Sequence, residues 1–225
     1  MQTVNARYYP MSSTWRVVLL LTALLLAGCA GQDSTRLPAG PWYLGFVAPT
    51  HMAVWIETAD VLDIKGRGFR RVMGGNARMD FTFKPEDGWS TRTGVGSGKY
   101  VSGSDLPKLI YVRWQSLAEA QTYEVVIEIP EATRHSMLKP ERAYCPLNDR
   151  VIDNYRTYVT IGLAPGGVAQ TWLRGVCLER IKVTRTVGRI VPLGPDLGRS
   201  SVGYLPLEPE SQAYIDAHGI PYGAW

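Results

Sequence analysis

Apolar and polar residues alternate with a period of two along most of the chain, the pattern of strands that bury one face. Tyr123, Val125, Ile127 and Ile129 fall on one face, with Glu124 and Glu128 on the other. Ile110, Val112 and Trp114 alternate with Tyr111, Arg113 and Gln115, and Val159, Ile161 and Leu163 alternate with Tyr158 and Thr160. Ile181, Val183 and Val187 alternate with Arg180, Lys182, Thr184 and Thr186. Residues 43–48 and 54–64 are less regular but rich in β-branched and aromatic side chains, and Phe69–Met73 adds a short strand. The turn Ala164-Pro165-Gly166-Gly167 separates strands at 155–163 and 168–176, with proline fixing one φ and glycine permitting a positive one. Residues 117–120 and the turn Lys65-Gly66-Arg67-Gly68 punctuate two further pairs.

Helical signals are few. Glu131–Leu138 follows Pro130, and Pro209–Ala217 has proline at its first position, Glu210 in its first turn and Gly219 as a stop. Ala213, Tyr214 and Ala217 would form the apolar face of that second helix, and the tail Ile220–Trp225 is apolar enough to dock on the body. The expected fold is mainly β, an antiparallel β-sandwich or open barrel with one or two short helices, forming a single domain over residues 42–225. Residues 74–105, with seven glycines, are expected to form a long loop.

The alternation is absent at the start of the chain. Arg7 and Arg16 precede the apolar run Val17–Leu26, which is too short to span a bilayer at about 20 residues. Leu26-Ala27-Gly28-Cys29 closes it with small residues before a cysteine. This is a secretory signal, and its end resembles the lipobox of bacterial lipoproteins. That resemblance implies that residues 1–28 are removed and that Cys29 carries a diacylglyceryl group at the mature terminus. Residues 29–41, small, polar and rich in Pro and Gly, read as a flexible tether. Met11 would serve equally as the start, with the same mature protein.

Cleavage changes the electrostatics. The formal charge of +4 falls to +2 with the loss of Arg7 and Arg16, which gives no reason to expect a nucleic-acid partner. Cleavage and lipidation also leave Cys145 and Cys177 as an even pair in an oxidising compartment. Neither has a C-x-x-C neighbour or a nearby histidine, so a disulfide is expected rather than a metal-binding or catalytic thiol. Reflecting Cys177 through the turn at Pro165 and Gly166 places it opposite about Asn154, so the bond would pin the 140–154 loop to the open end of the hairpin. It would contribute about 3–4 kcal/mol.

Catalytic motifs are scarce. His51, His135 and His218 are far apart and lack metal-ligand spacing. No G-x-S-x-G elbow is present. The run Gly94–Lys99 suggests a phosphate cradle, but Thr93 stands where the first glycine belongs and Tyr100 where Ser or Thr belongs. Asp60 and Asp63 point to opposite faces of a strand. The basic cluster Lys65, Arg67, Arg70 and Arg71 is the strongest charge feature and a candidate for contact with a protein partner or lipid headgroups. No metal and no cofactor are expected beyond the covalent lipid. Trp114 and Trp172 are expected in the core.

Several segments carry a wider resemblance: residues 42–49 (WYLGFVAP), 54–63 (VWIETADVLD), 106–116 (LPKLIYVRWQS), 121–123 (QTY), 139–145 (KPERAYC), 161–167 (IGLAPGG) and the terminal HGIPYGAW. Together they resemble a family of proteobacterial lipoproteins classed as domain of unknown function 2931. The resemblance implies location and fold rather than an activity. Some small envelope lipoproteins of this general kind resemble immunity proteins that neutralise type VI secretion effectors such as phospholipases, and that role is an expectation by analogy alone. The leading expectation is therefore a non-enzymatic binding protein, membrane-anchored through Cys29, whose contact surface is the 74–105 loop or the 65–71 turn. The alternatives are an envelope hydrolase with a site assembled from loops, and a structural outer-membrane assembly factor. Ala30, rather than Asp, follows Cys29, which by resemblance to known sorting signals implies the outer membrane, facing the periplasm.

Overall fold

In a computed structural model, which describes residues 35–80, 84–90 and 94–225, the alternating segments pair into two stacked sheets. The expected lipidation site Cys29 lies outside the described residues. The first sheet runs β12 (Leu178–Val187), β11 (Val168–Gly175), β10 (Tyr158–Ala164), β1 (Tyr43–Pro49) and β4 (Arg78–Asp80), with β5 (Ser97–Tyr100) also on β1. The second runs β13 (Arg189–Ile190), β7 (Gln121–Glu128), β6 (Pro107–Ser116), β2 (Val54–Asp63) and β3 (Gly68–Asn76). A separate hairpin joins β8 (Glu141–Cys145) and β9 (Arg150–Asn154). The fold is a β-sandwich with two short α-helices, α1 (Glu131–Met137) and α2 (Pro209–His218).

Most pairings are antiparallel because short turns join consecutive strands. The turn at 165–167 sets Ala164 opposite Val168, and Gly166 and Gly167 take φ of 75° and 72°. Two pairings, both made by β1, depart from the expected antiparallel arrangement. β1 lies parallel to β10, with Tyr43 opposite Tyr158 and Val47 opposite Gly162, and also parallel to β4. These strands are far apart in sequence, so no hairpin dictates their direction.

The core lies between the sheets. Leu44, Phe46, Val159, Ile161 and Leu163 from the first sheet meet Ile56, Val61, Ile110, Val112, Trp114 and Ile127 from the second in one cluster. These are the inward positions of the alternation, and each fully buried Leu, Ile or Phe contributes about 1.5–3 kcal/mol. Trp114 and Trp172 are both fully buried, Trp114 within this core.

Three expectations change. First, the strands at the centre of the first sheet are covered on both faces, so Thr160 and Thr171 are as buried as their apolar neighbours. Trp89 lies over Gly162, where a Cβ would come within 2.6 Å of its ring, and meets Trp172 edge-on at 5.2 Å. Trp225, Met52 and Val168 extend this covering, so the C-terminal tail is docked. Helix α2 packs through Ser211, Tyr214 and Ile215, while Ala213 and Ala217 are exposed. Second, β12 is an edge strand with register irregularities. Ile181 and Val187 are 42% and 60% exposed, and Val183 packs on the core only in part. Third, the glycine-rich stretch is not one long loop. It completes β3 and supplies β4, a 3-10 turn at Pro85–Asp87, and β5. Its glycines serve close packing: a Cβ on Gly98 would fall 1.8 Å from the Leu44 carbonyl oxygen. Residues 97–99 of the run read against a phosphate cradle lie in β5.

Candidate binding surface

Two polar clasps hold loops onto the second sheet. The first forms where β2 ends. Asp63 sits at an inward position in the alternation of β2 and is fully buried. A buried carboxylate must be surrounded by donors. Asp63 accepts the backbone N–H groups of Lys65 and Arg67, both at 2.9 Å, and that of Asp105 at 3.1 Å. Arg67 also donates through Nε at 2.9 Å and bridges to the equally buried Asp105. Asp105 takes the Thr35 hydroxyl at 2.6 Å and lies 3.4 Å from the Lys65 Nζ. Burial pushes both carboxyls up, but these partners outweigh it and hold each below its ordinary value of 3.8.

This clasp changes the reading of the basic cluster. Lys65 and Arg67, 53% and 42% exposed, reach onto the buried Asp63 and Asp105, so half of the expected contact patch also serves the fold. Arg70 and Arg71 remain exposed. Arg71 takes a φ of 51°, and its N–H donates to Asp60 at 2.8 Å. Asp60 and Asp63 do lie on opposite faces. The clasp also docks residues 35–41, expected to belong to the tether. Leu106 N–H donates to the Thr35 carbonyl at 3.1 Å, and Leu37 packs into the core. Residues 35–225 form one compact unit.

The second clasp sits on the outward face of the same sheet. Glu57 on β2 accepts from the Arg113 Nε of β6 at 2.5 Å and from the Gln115 Nε2 at 3.1 Å. The two charged side chains are only 5% and 12% exposed. Burial lowers the Arg113 pKa, but the Glu57 carboxylate outweighs it and raises it. The same groups grip the chain beyond β13: Asp196 N–H donates to Glu57 at 2.8 Å, and Leu205 N–H donates to Gln115 at 3.3 Å. Between these points Asp196 and Leu197 take φ of 47° and 56°, the left-handed region that non-glycine residues rarely occupy. Arg199 braces the turn, donating to the Asp196 carbonyl at 3.1 Å and to its carboxylate at 2.9 Å.

The loop so held carries apolar side chains into solvent. Leu193, Leu197 and Val202 are 67%, 39% and 75% exposed. Paired charges and left-handed turns thus hold a loop whose apolar residues point outward. This surface was not legible as a site. Glu57 and Arg113 are 56 residues apart, and only the pairing of β2 with β6 brings them together.

Cys145 and Cys177 are bonded, with Cα atoms 5.0 Å apart. The Asn154 side chain donates to the Val176 carbonyl at 3.1 Å, as the hairpin reflection implied, but residues 141–154 form a hairpin of their own rather than a loop. The histidines stay apart from any acidic cluster. His51 stacks on Tyr214 at 4.4 Å and approaches the Ser211 hydroxyl at 3.5 Å, His218 tilts against Tyr214, and His135 lies 3.8 Å from Glu131. Among the described residues no group of three or more His, Cys, Asp or Glu could hold a metal ion. No described helix is long and apolar enough to cross a membrane.

Comparison with known families matches residues 30–223 to the family described as protein of unknown function (DUF2931). The chain belongs to this family. The match includes the 35–41 segment, both clasps and the exposed loop, so all of them lie within the family's domain. No curated protein and no solved structure matches the chain.

Proposed function

We propose that this DUF2931 protein is a lipid-anchored, periplasm-facing binding protein of the outer membrane, whose contact surface is the loop from about Leu193 to Leu205. The observation that carries the reading is the exposure of Leu193, Leu197 and Val202 on a loop fixed by the buried Glu57–Arg113 pair. Apolar side chains that contribute little to their own fold, held in a set conformation, are suited to bury against a protein partner. The sequence Leu26-Ala27-Gly28-Cys29 supports anchoring, with the membrane as the first partner.

The sharpest form of the reading is an immunity protein that neutralises a type VI secretion effector acting on membranes, such as a phospholipase. Tethering would concentrate the inhibitor where that effector works. Deleting the gene should sensitise cells to sibling attack. Restoring the wild-type gene should protect them, and restoring the Leu193→Ser/Val202→Ser form should not. Undiminished resistance after deletion would rule out the immunity role.

A further inference from the structure

Beside the second clasp lies a cavity of about 350 Å³, lined by Trp55, Glu57, Gln115, Asp196, Arg199 and Ser201 among others. Its size falls in the range of small-molecule sites, and its wall combines an aromatic ring with several convergent polar groups. The apolar loop residues Leu193, Leu197 and Val202 do not line it.

The charges around the cavity cancel. Glu57 is paired with Arg113, and Asp196 with Arg199. An ionic ligand would therefore gain little from the site's field, and a neutral one is favoured. The polar groups divide into committed and available ones. Glu57 already accepts from Arg113, Gln115 and the Asp196 N–H. Asp196 spends Oδ1 on Arg199, and its second oxygen has no partner among the described residues. Arg199 uses Nε and one terminal nitrogen, leaving further N–H donors on a side chain that is 66% exposed. The Ser201 hydroxyl adds a group that both donates and accepts. An acceptor, a donor fork and a hydroxyl thus lie around one cavity with the half-buried Trp55.

A ligand that matches this set has an apolar C–H face for the indole and adjacent neutral groups that donate and accept along its edge. Sugar rings have that combination: axial C–H groups on a face and vicinal hydroxyls on the rim. We propose that this cavity is a neutral saccharide site, with the ring against Trp55 and neighbouring hydroxyls shared between Asp196 and Arg199. The left-handed turn at Asp196 and Leu197 sets the carboxylate and guanidinium beside the aromatic wall before any ligand arrives. The cavity shares Asp196, Arg199 and Ser201 with the proposed contact loop but not its exposed Leu193, Leu197 and Val202, so sugar binding and protein capture are read by different variants.

The test titrates the full chain, carrying Cys29→Ser, with methyl α-glucoside, N-acetylglucosamine and lactose, following saturation transfer to the sugar ring protons by NMR. Tri-alanine serves as a neutral non-sugar control. At least one sugar is expected to bind through its ring C–H protons, with tri-alanine at least tenfold weaker. Trp55→Ala and Arg199→Ala should each weaken that binding at least tenfold, and Trp55→Phe should retain it. Arg199 is exposed, so its variant remains informative if Trp55→Ala does not fold. Binding by none of the three sugars, equal binding by the Arg199→Ala chain, or equal binding of tri-alanine would overturn the proposal.

Discussion

The two clasps use the same chemistry toward different ends. Around Asp63 and Asp105, buried carboxylates gather Arg67, Lys65, Thr35 and three backbone N–H groups. The segment they secure delivers Leu37 into the core, so the polar network and the apolar burial reinforce one another. Around Glu57 and Arg113, the secured segment contains two left-handed non-glycine residues and presents Leu193, Leu197 and Val202 to water. Here the clasp works against local strain and unburied apolar surface. A fold that needed only stability would gain by turning those residues inward. The first clasp therefore reads as structural, and the second as the mount for the contact surface proposed above.

The largest expected effect breaks the first clasp. Asp63→Ala removes a buried anion that satisfies three backbone N–H groups and Arg67, and should cost about 3–5 kcal/mol in denaturant unfolding. A loss under about 1 kcal/mol would show that water replaces the carboxylate and that the clasp is dispensable.

Next comes Arg113→Ala, which leaves Glu57 buried beside only neutral donors. It should cost about 2–3 kcal/mol. Hydrogen exchange at Asp196 and Leu205 should rise with it, because their N–H groups donate to Glu57 and Gln115. Global destabilisation without faster local exchange would separate the salt bridge from the loop.

Acid should distinguish the clasps by a smaller effect. The carboxyls of Asp63 and Asp105 sit below 3.8 in the folded protein, so the unfolded chain binds protons first as the pH falls. Their contribution is complete above about pH 5, starts to fade as the pH nears the ordinary value of 3.8, and is lost as the pH falls through the lowered folded values. Between pH 5 and 3, wild-type stability should fall more steeply than that of Asp63→Ala. Parallel slopes would mean that these carboxyls do not drive the acid response.

The smallest effect on stability is predicted for the Leu193→Ser/Val202→Ser chain. Both side chains are mostly exposed, so unfolding should change by no more than about 0.5 kcal/mol. A larger loss would place the loop with the structural clasp.

The strands were legible because inward positions such as Ile110, Val112 and Trp114 face a single core. The pattern misled where that condition failed. Ile181 and Val187 alternate correctly but lie on an edge strand with little to cover them, whereas Thr160 is buried by a second layer. β5 is not legible because Gly96 and Gly98 answer to the close approach of β1 rather than to any periodicity, and β4, at three residues, is too short to show one. Half of the first clasp was visible: Asp63 falls in register with Val61, and an inward carboxylate requires donors. Its second carboxylate, Asp105, lies 42 residues away and could not be assigned. The basic turn is the strongest charge feature, but charge alone does not say that the partly exposed Lys65 and Arg67 also reach buried anions.

The central claim is that the 193–205 loop, rather than the basic turn, contacts the partner. It is tested most directly by capture from membrane and secretion fractions of the same strain. The full chain carrying Cys29→Ser would serve as bait, beside its Leu193→Ser/Val202→Ser and Arg70→Ala/Arg71→Ala forms. The account predicts a stoichiometric, salt-resistant complex with a protein partner that the loop variant loses and the basic-turn variant keeps. Retention by the loop variant, with loss by the basic-turn variant, would contradict it.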